Sequence, residues 1–96
     1  MSEGEVKKEI IAYLKKAGIH HNNILQGRIG SYGNVKGISD ILCCYRGRYV
    51  AIEVKGKGGR ASADQLEFLE SVNLSGGVAF LAYSLDDVLE KLRGIK

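Results

Sequence analysis

Proline is absent from the 96 residues. Turns must therefore be built from glycine, present 13 times, with asparagine and serine beside it. No apolar run approaches the ~18 residues that would cross a membrane. The opening stretch, MSEGEVKKEI, carries acids and no apolar core, so no secretory signal peptide is expected. Cysteine is scarce: Cys43 and Cys44 stand side by side. Neighbours on a strand point to opposite faces and rarely bridge each other. They read as small buried hydrophobes in a reducing compartment rather than as a redox or metal pair. The two histidines are also adjacent and lack zinc-site spacing.

At 45% hydrophobic and 26% charged, the chain has the make-up of a globular protein, and residues 1–96 suit one small domain. The net charge of +3 permits a nucleic-acid partner without requiring one. Basic residues cluster at Lys15–Lys16, Arg46–Arg48, Lys55–Lys57–Arg60 and Lys91–Arg93–Lys96. The terminal clusters read as solvated surface.

The pattern predicts an amphipathic helix from Ser2 or Glu3 to about Ala17, with Val6, Ile10, Tyr13 and Ala17 as its stripe and Ile11 and Leu14 beside it. Gly18 stops it, and Lys15 and Lys16 suit its negative end. A strand is expected from Ile24 to Ile29, then a polar glycine-rich loop. Ser39 to Tyr45 and Arg48 to Lys55 read as strands joined by a tight Arg46-Gly47 turn. Ser62 opens a second helix, with Gln65 completing a capping box and Leu66, Leu69 and Val72 as its stripe, Phe68 alongside. A strand from Val78 to Tyr83 and a helix capped by Ser84 finish an α/β chain of order αβββαβα.

Three charges interrupt the hairpin: Asp40 at the mouth of its first strand, Glu53 and Lys55 at the end of its second. Alternation puts Glu53 and Lys55 on one face, ~7 Å apart. With Arg46 and Gly47 as the loop, Tyr45 pairs with Arg48, and counting outward places Asp40 opposite Glu53. A three-residue loop would instead set Asp40 opposite Val54. Like charges opposed on a sheet repel. A divalent cation would offset that, since Mg²⁺ and Mn²⁺ take hard oxygen ligands. Lys55 could then position a water or stabilise developing negative charge, and the set suits phosphodiester hydrolysis. The bland alternative is a Glu53–Lys55 surface ion pair with Asp40 capping a loop. The joint placement at two strand ends favours a site.

Gly37-Ile38-Ser39-Asp40, a hairpin, then Glu53-Val54-Lys55 resembles the signature of the PD-(D/E)xK nuclease superfamily. The following GKGGRASADQLEFL and the closing GGVAFLAYSLDDVLEKL resemble one branch, the VRR-NUC (virus-type replication-repair nuclease) domain, so that the similarity spans nearly the whole chain. The resemblance implies a restriction-endonuclease-like core with a mixed central sheet flanked by helices. It implies that Asp40, Glu53 and the Val54 carbonyl ligate Mg²⁺ or Mn²⁺, that Lys55 is the catalytic lysine, and that Gln65 lies near the site. Many members add a glutamate from the first helix. Glu3, which continues the stripe of Val6 and Ile10, is the candidate, although the helix dipole alone favours an acid there. Ser39 departs from the family, which often has proline at that position. Arg28, Lys36, Lys57 and Arg60, in loops or strand ends predicted near the site, are candidate phosphate contacts. Tyr32 could stack on a base, although a loop tyrosine is more often plain surface. Stand-alone members of this size imply a homodimeric endonuclease acting on branched DNA, four-way (Holliday) junctions included, in the cytoplasm of a bacterial or phage-infected cell. The other readings are a nuclease for linear DNA or RNA and a non-catalytic nucleic-acid-binding subunit.

Overall fold

The computed structural model describes residues 1–24 and 35–96. Its elements follow as α1 (Glu3–Lys16), β1 (His21–Asn23), β2 (Ile41–Tyr45), β3 (Arg48–Val54), α2 (Ala63–Leu74), β4 (Val78–Ala82) and α3 (Leu85–Arg93). The strands form one mixed sheet in the order β1-β2-β3-β4. β1, β2 and β3 pair antiparallel, while β4, reached through α2, runs parallel to β3. This is an α/β fold with the expected element order. Among the described residues no helix is long and apolar enough to cross a membrane.

Ser2 caps α1: its hydroxyl accepts from the Glu5 amide while the Glu5 carboxylate accepts from the Ser2 amide. The helix ends in a Schellman motif, with Ile19 N–H bonded to Leu14 and Gly18 N–H to Lys15, and Gly18 adopts φ 70° as that motif requires. The buried stripe is Val6, Ile10 and Leu14. Tyr13 is half-buried and Ala17 exposed, so the stripe turns slightly from the expected one.

β1 lies just before the expected strand at Ile24–Ile29, of which all but Ile24 falls outside the described residues. It precedes that segment, covers His21–Asn23, and ends where Ile24 donates to the Asp40 carbonyl at 2.7 Å. Residues 25–34, which include Arg28 and Tyr32, lie outside the described residues. Asparagine favours turns over strands, so pairing with β2, rather than local preference, makes this edge strand.

The hairpin has the register of a two-residue turn: Tyr45 pairs with Arg48, and the ladder runs out to Ile41 opposite Ile52. Arg46 (φ 51°) and Gly47 (φ 77°) are both left-handed, the requirement of a type I′ turn. β2 starts at Ile41 rather than Ser39 because a side chain takes over from the ladder. The Asp40 carboxylate, not a backbone carbonyl, accepts the Val54 N–H at 2.9 Å. β3 ends at Val54, one residue short of the expectation, although Lys55 N–H still reaches the Ala82 carbonyl at 3.0 Å.

The alternation of β3 divides two cores. Val50, Ile52 and Val54 pack with Val6, Ile10 and Leu14 of α1 and Val88 and Leu92 of α3. On the other face Ala51 and Ala79 meet Leu69 and Val72 of α2, with Leu42, Phe68 and Leu81 partly buried around them. Leu66 is not part of that stripe: it is 51% exposed, because two alanines give α2 only a narrow seat. Cys43 is buried and Cys44 exposed, both free, so only one of the pair is a core residue. Burial pushes the Cys43 thiol up to about 11. Near the end of α2 the Asn73 amide grips the edge strand, donating to the Ala79 carbonyl (2.9 Å) and accepting its N–H (2.8 Å). Four positions on, Tyr83 N–H donates to the Asp87 carboxylate at 2.8 Å.

Candidate metal and catalytic site

The ladder closes at Ile41–Ile52, so the next outward pair is Asp40 and Glu53. Three further elements converge on them. The turn before Asp40 docks on α2: Gly37 has φ 73°, and a Cβ there would overlap the Asp64 carbonyl. The first turn of α1 abuts the chain just past Lys55, where a Cβ on Gly56 would come within 2.7 Å of the Glu3 amide nitrogen. The glycine-rich loop beyond is tied down by Tyr83, whose hydroxyl donates to the Gly59 carbonyl at 2.9 Å.

Glu53 is 1% exposed and Asp40 9%. Lys55 Nζ lies 3.4 Å from Glu53 Oε2. The same oxygen accepts from Gln65 Nε2 at 3.0 Å. Gln65 Oε1 meanwhile accepts the Ser62 N–H at 2.8 Å, completing the capping box. That bond fixes which way the amide faces, so Gln65 caps the helix and holds Glu53 at once. Glu53 Oε1 is buried and has no hydrogen-bond partner, and the same is true of Ser39 Oγ.

Burial above all, then the charge and a hydrogen bond of the neighbouring Asp40, together push the Glu53 carboxyl up from 4.5 to about 8 against the pull of Lys55. One ammonium does not balance two carboxylates out of water. The Glu53–Lys55 contact is therefore no surface ion pair: both side chains are largely covered, and the pair shares its pocket with a second acid.

These residues fit a divalent cation. A buried carboxylate oxygen without a donor beside a second carboxylate is the environment that Mg²⁺ or Mn²⁺ would satisfy, with one or two carboxylates and retained waters. Asp40 and Glu53 supply the side-chain donors. Among the described residues no group of three or more His, Cys, Asp or Glu forms a metal-holding cluster. Glu3, expected as a further ligand, has an exposed side chain. The buried stripe of α1 begins at Val6, and the side chains of residues 3–5 are exposed.

Asp40, Glu53, Lys55 and Gln65 are thus brought together. Lys36, Lys57 and Arg60 are exposed: Lys36 beside Gly37, Lys57 and Arg60 in the loop after Lys55. Arg28 lies outside the described residues. Sequence reasoning missed the docking role of Gly37 and the complete burial of Ser39. The Gly-Ile-Ser-Asp run held the signal, a glycine three residues before a strand-end acid. No family model matches the chain, and neither does any curated protein or solved structure.

Proposed function

We propose that the protein is a Mg²⁺- or Mn²⁺-dependent endonuclease that hydrolyses phosphodiester bonds in branched DNA such as four-way junctions. The observation that carries the reading is the buried Asp40–Glu53 pair with one unpartnered carboxylate oxygen and Lys55 Nζ at 3.4 Å. The likeness of this set, of Gln65 and of the element order to the PD-(D/E)xK nucleases and their VRR-NUC branch adds support, and the branched substrate rests on that likeness alone.

Asp40, Glu53 and the Val54 carbonyl would hold the ion, which would polarise a phosphoryl oxygen and make bound water more acidic. The chain does the rest. Gln65 fixes Glu53 by its Oε2, leaving Oε1 open. The Val54 amide orients Asp40. Lys55 is placed to orient an attacking water or to take up negative charge on the scissile phosphate. Lys36, Lys57 and Arg60, with Arg28, would grip flanking phosphates without reading sequence. One such site cuts one strand, so a symmetric junction calls for two, related by the two-fold axis of a homodimer.

The test is a panel of four-way junction, linear duplex and single-stranded RNA, each incubated with Mg²⁺, Mn²⁺ or EDTA, together with a mass measurement in solution. The reading expects metal-dependent nicks in the junction, lost in Asp40→Ala and Lys55→Ala while binding persists. Binding with no metal-dependent product from any substrate would sink it. Products from linear duplex or RNA alone would reassign the substrate.

A further inference from the structure

Outside the candidate site, a cleft runs along α1. It has a volume of about 400 Å³ and is lined among the described residues by Gly4, Lys7, Lys8, Ile11, Ala12 and Lys15, closed by Asn23 of β1. A helix turns about 100° per residue, which puts those α1 residues on one face, with the three lysines in a stripe about 100° wide. Glu3, Glu5 and Glu9 fall outside it, and Glu5 is already engaged with the Ser2 amide. The stripe therefore presents three ammonium groups with no acid between them.

Two further observations give the cleft a direction and an occupant. It begins at Gly4, next to the Glu3 amide that abuts Gly56, so it starts where β3 and Lys55 end. Lys7 and Lys15 are then separated by about 12 Å of helix, the axial length of roughly three to four nucleotides of one strand. Gly4 is the second observation. Glycine in a helix costs about 1 kcal/mol against alanine. A Cβ at Gly4 would meet nothing nearer than the Ser2 hydroxyl at 4.0 Å, so the protein's own packing does not demand glycine there. Its absent side chain leaves the site end of the cleft open.

We infer that the Gly4–Lys15 face of α1 is a second DNA-binding surface, a track for the phosphates of a DNA arm leaving the cleavage site. This rests on the reading of the chain as a DNA-acting protein and names the surface that holds the arm. The track, about 12 Å long, engages the first few nucleotides of the arm. Three lysines neutralise up to three phosphates, so each should contribute close to one unit to the slope of log affinity against log salt, at about 0.9 per contact.

The experiment measures binding of the full chain to a four-way junction with arms of about 20 base pairs, in EDTA so that nothing is cut, across a salt series. The triple variant Lys7→Gln/Lys8→Gln/Lys15→Gln should bind it at least about 10-fold more weakly at low salt, with a slope shallower by about 2–3. Glutamine matches lysine in helix preference, and the single Lys15→Gln, at an exposed position, should lower the slope by about one. Lys91→Gln/Arg93→Gln removes charge from the last turn of α3 and should leave affinity and slope close to those of the unaltered protein. A loss matched by the α3 variant, no loss, or no binding of DNA by the unaltered protein each overturn the inference. A loss confined to the triple variant in a protein that cuts nothing in Mg²⁺ would leave the track standing and remove the nuclease reading. Metal-dependent cutting with an unaltered triple variant would do the reverse.

Discussion

Replacing Glu53 with glutamine keeps the size of the side chain and removes its charge, which isolates the cost of burying two acids together. With a folded-state pKa of about 8 against 4.5 in the unfolded chain, Glu53 keeps its proton in the fold over a range where the unfolded chain has released it. The folded state then binds more protons, so stability falls as pH rises from about 4.5 to about 8 and levels off above that. The linkage integral gives a cost of about 1 kcal/mol at pH 5 and about 4 kcal/mol at pH 8, a loss of roughly 3 kcal/mol across the interval. For a domain of this length that corresponds to roughly 12–24 °C in Tm. Glu53→Gln has no such proton to lose. Any fixed offset from the new amide cancels when slopes rather than levels are compared. The assay is thermal or urea unfolding of both proteins from pH 5 to pH 8 in EDTA. The curves should diverge with rising pH, Glu53→Gln becoming progressively the more stable. Mg²⁺ at about 10 mM, for an assumed dissociation constant of about 1 mM, should return about 1.4 kcal/mol to the unaltered protein at pH 8 and much less to the variant. Parallel curves in EDTA would refute the claim that Glu53 is held out of water beside Asp40 without adequate compensation.

Asp40→Asn should bring the Glu53 pKa down, because the charge and hydrogen bond of Asp40 both raise it; a carboxyl NMR titration in EDTA reads the shift directly. Lys55→Met should move it the opposite way, above 8, and reduce metal-dependent cleavage by about 10²–10³-fold, measured on a junction under single turnover. Gln65→Ala removes a reciprocal cap and a donor to Glu53 together, for a loss of about 1–3 kcal/mol in urea unfolding. Gly37→Ala forces a left-handed residue against the Asp64 carbonyl and should destabilise by at least about 2 kcal/mol, seen as a lower urea midpoint at unchanged slope.

The hairpin and its charges were legible because one local device governs them. A turn at Arg46-Gly47 sets the register, and strict alternation carries it out to Asp40 and Glu53. Gln65 was legible as a cap, and its second bond followed from where α2 lies. What was not legible depended on tertiary neighbours. His21–Asn23 has little strand preference of its own and is a strand because β2 offers it an edge. Leu66 fits a helical stripe, yet the small Ala51 and Ala79 beneath α2 leave it outside. Cys44 resembles Cys43 in type, but the face it shares with Leu42 is only partly covered.

The Asn73 clamp has a mechanical meaning. α2 is pinned at both ends: Gln65 is held by the carboxylate of Glu53, and Asn73, about 12 Å further along the axis, by the backbone of β4. Between them the helix is a strut, seated through Leu69 and Val72 on Ala51 and Ala79. The amide at Asn73 also does at Ala79 what a further strand would do, and Asp87 occupies the N–H of Tyr83, so the β4 edge offers an incoming chain no continuous template. One side chain thereby limits how the protein can polymerise and sets the height at which a distant glutamine meets an acid. A change at this remote rim would reach the carboxylate pair without touching it.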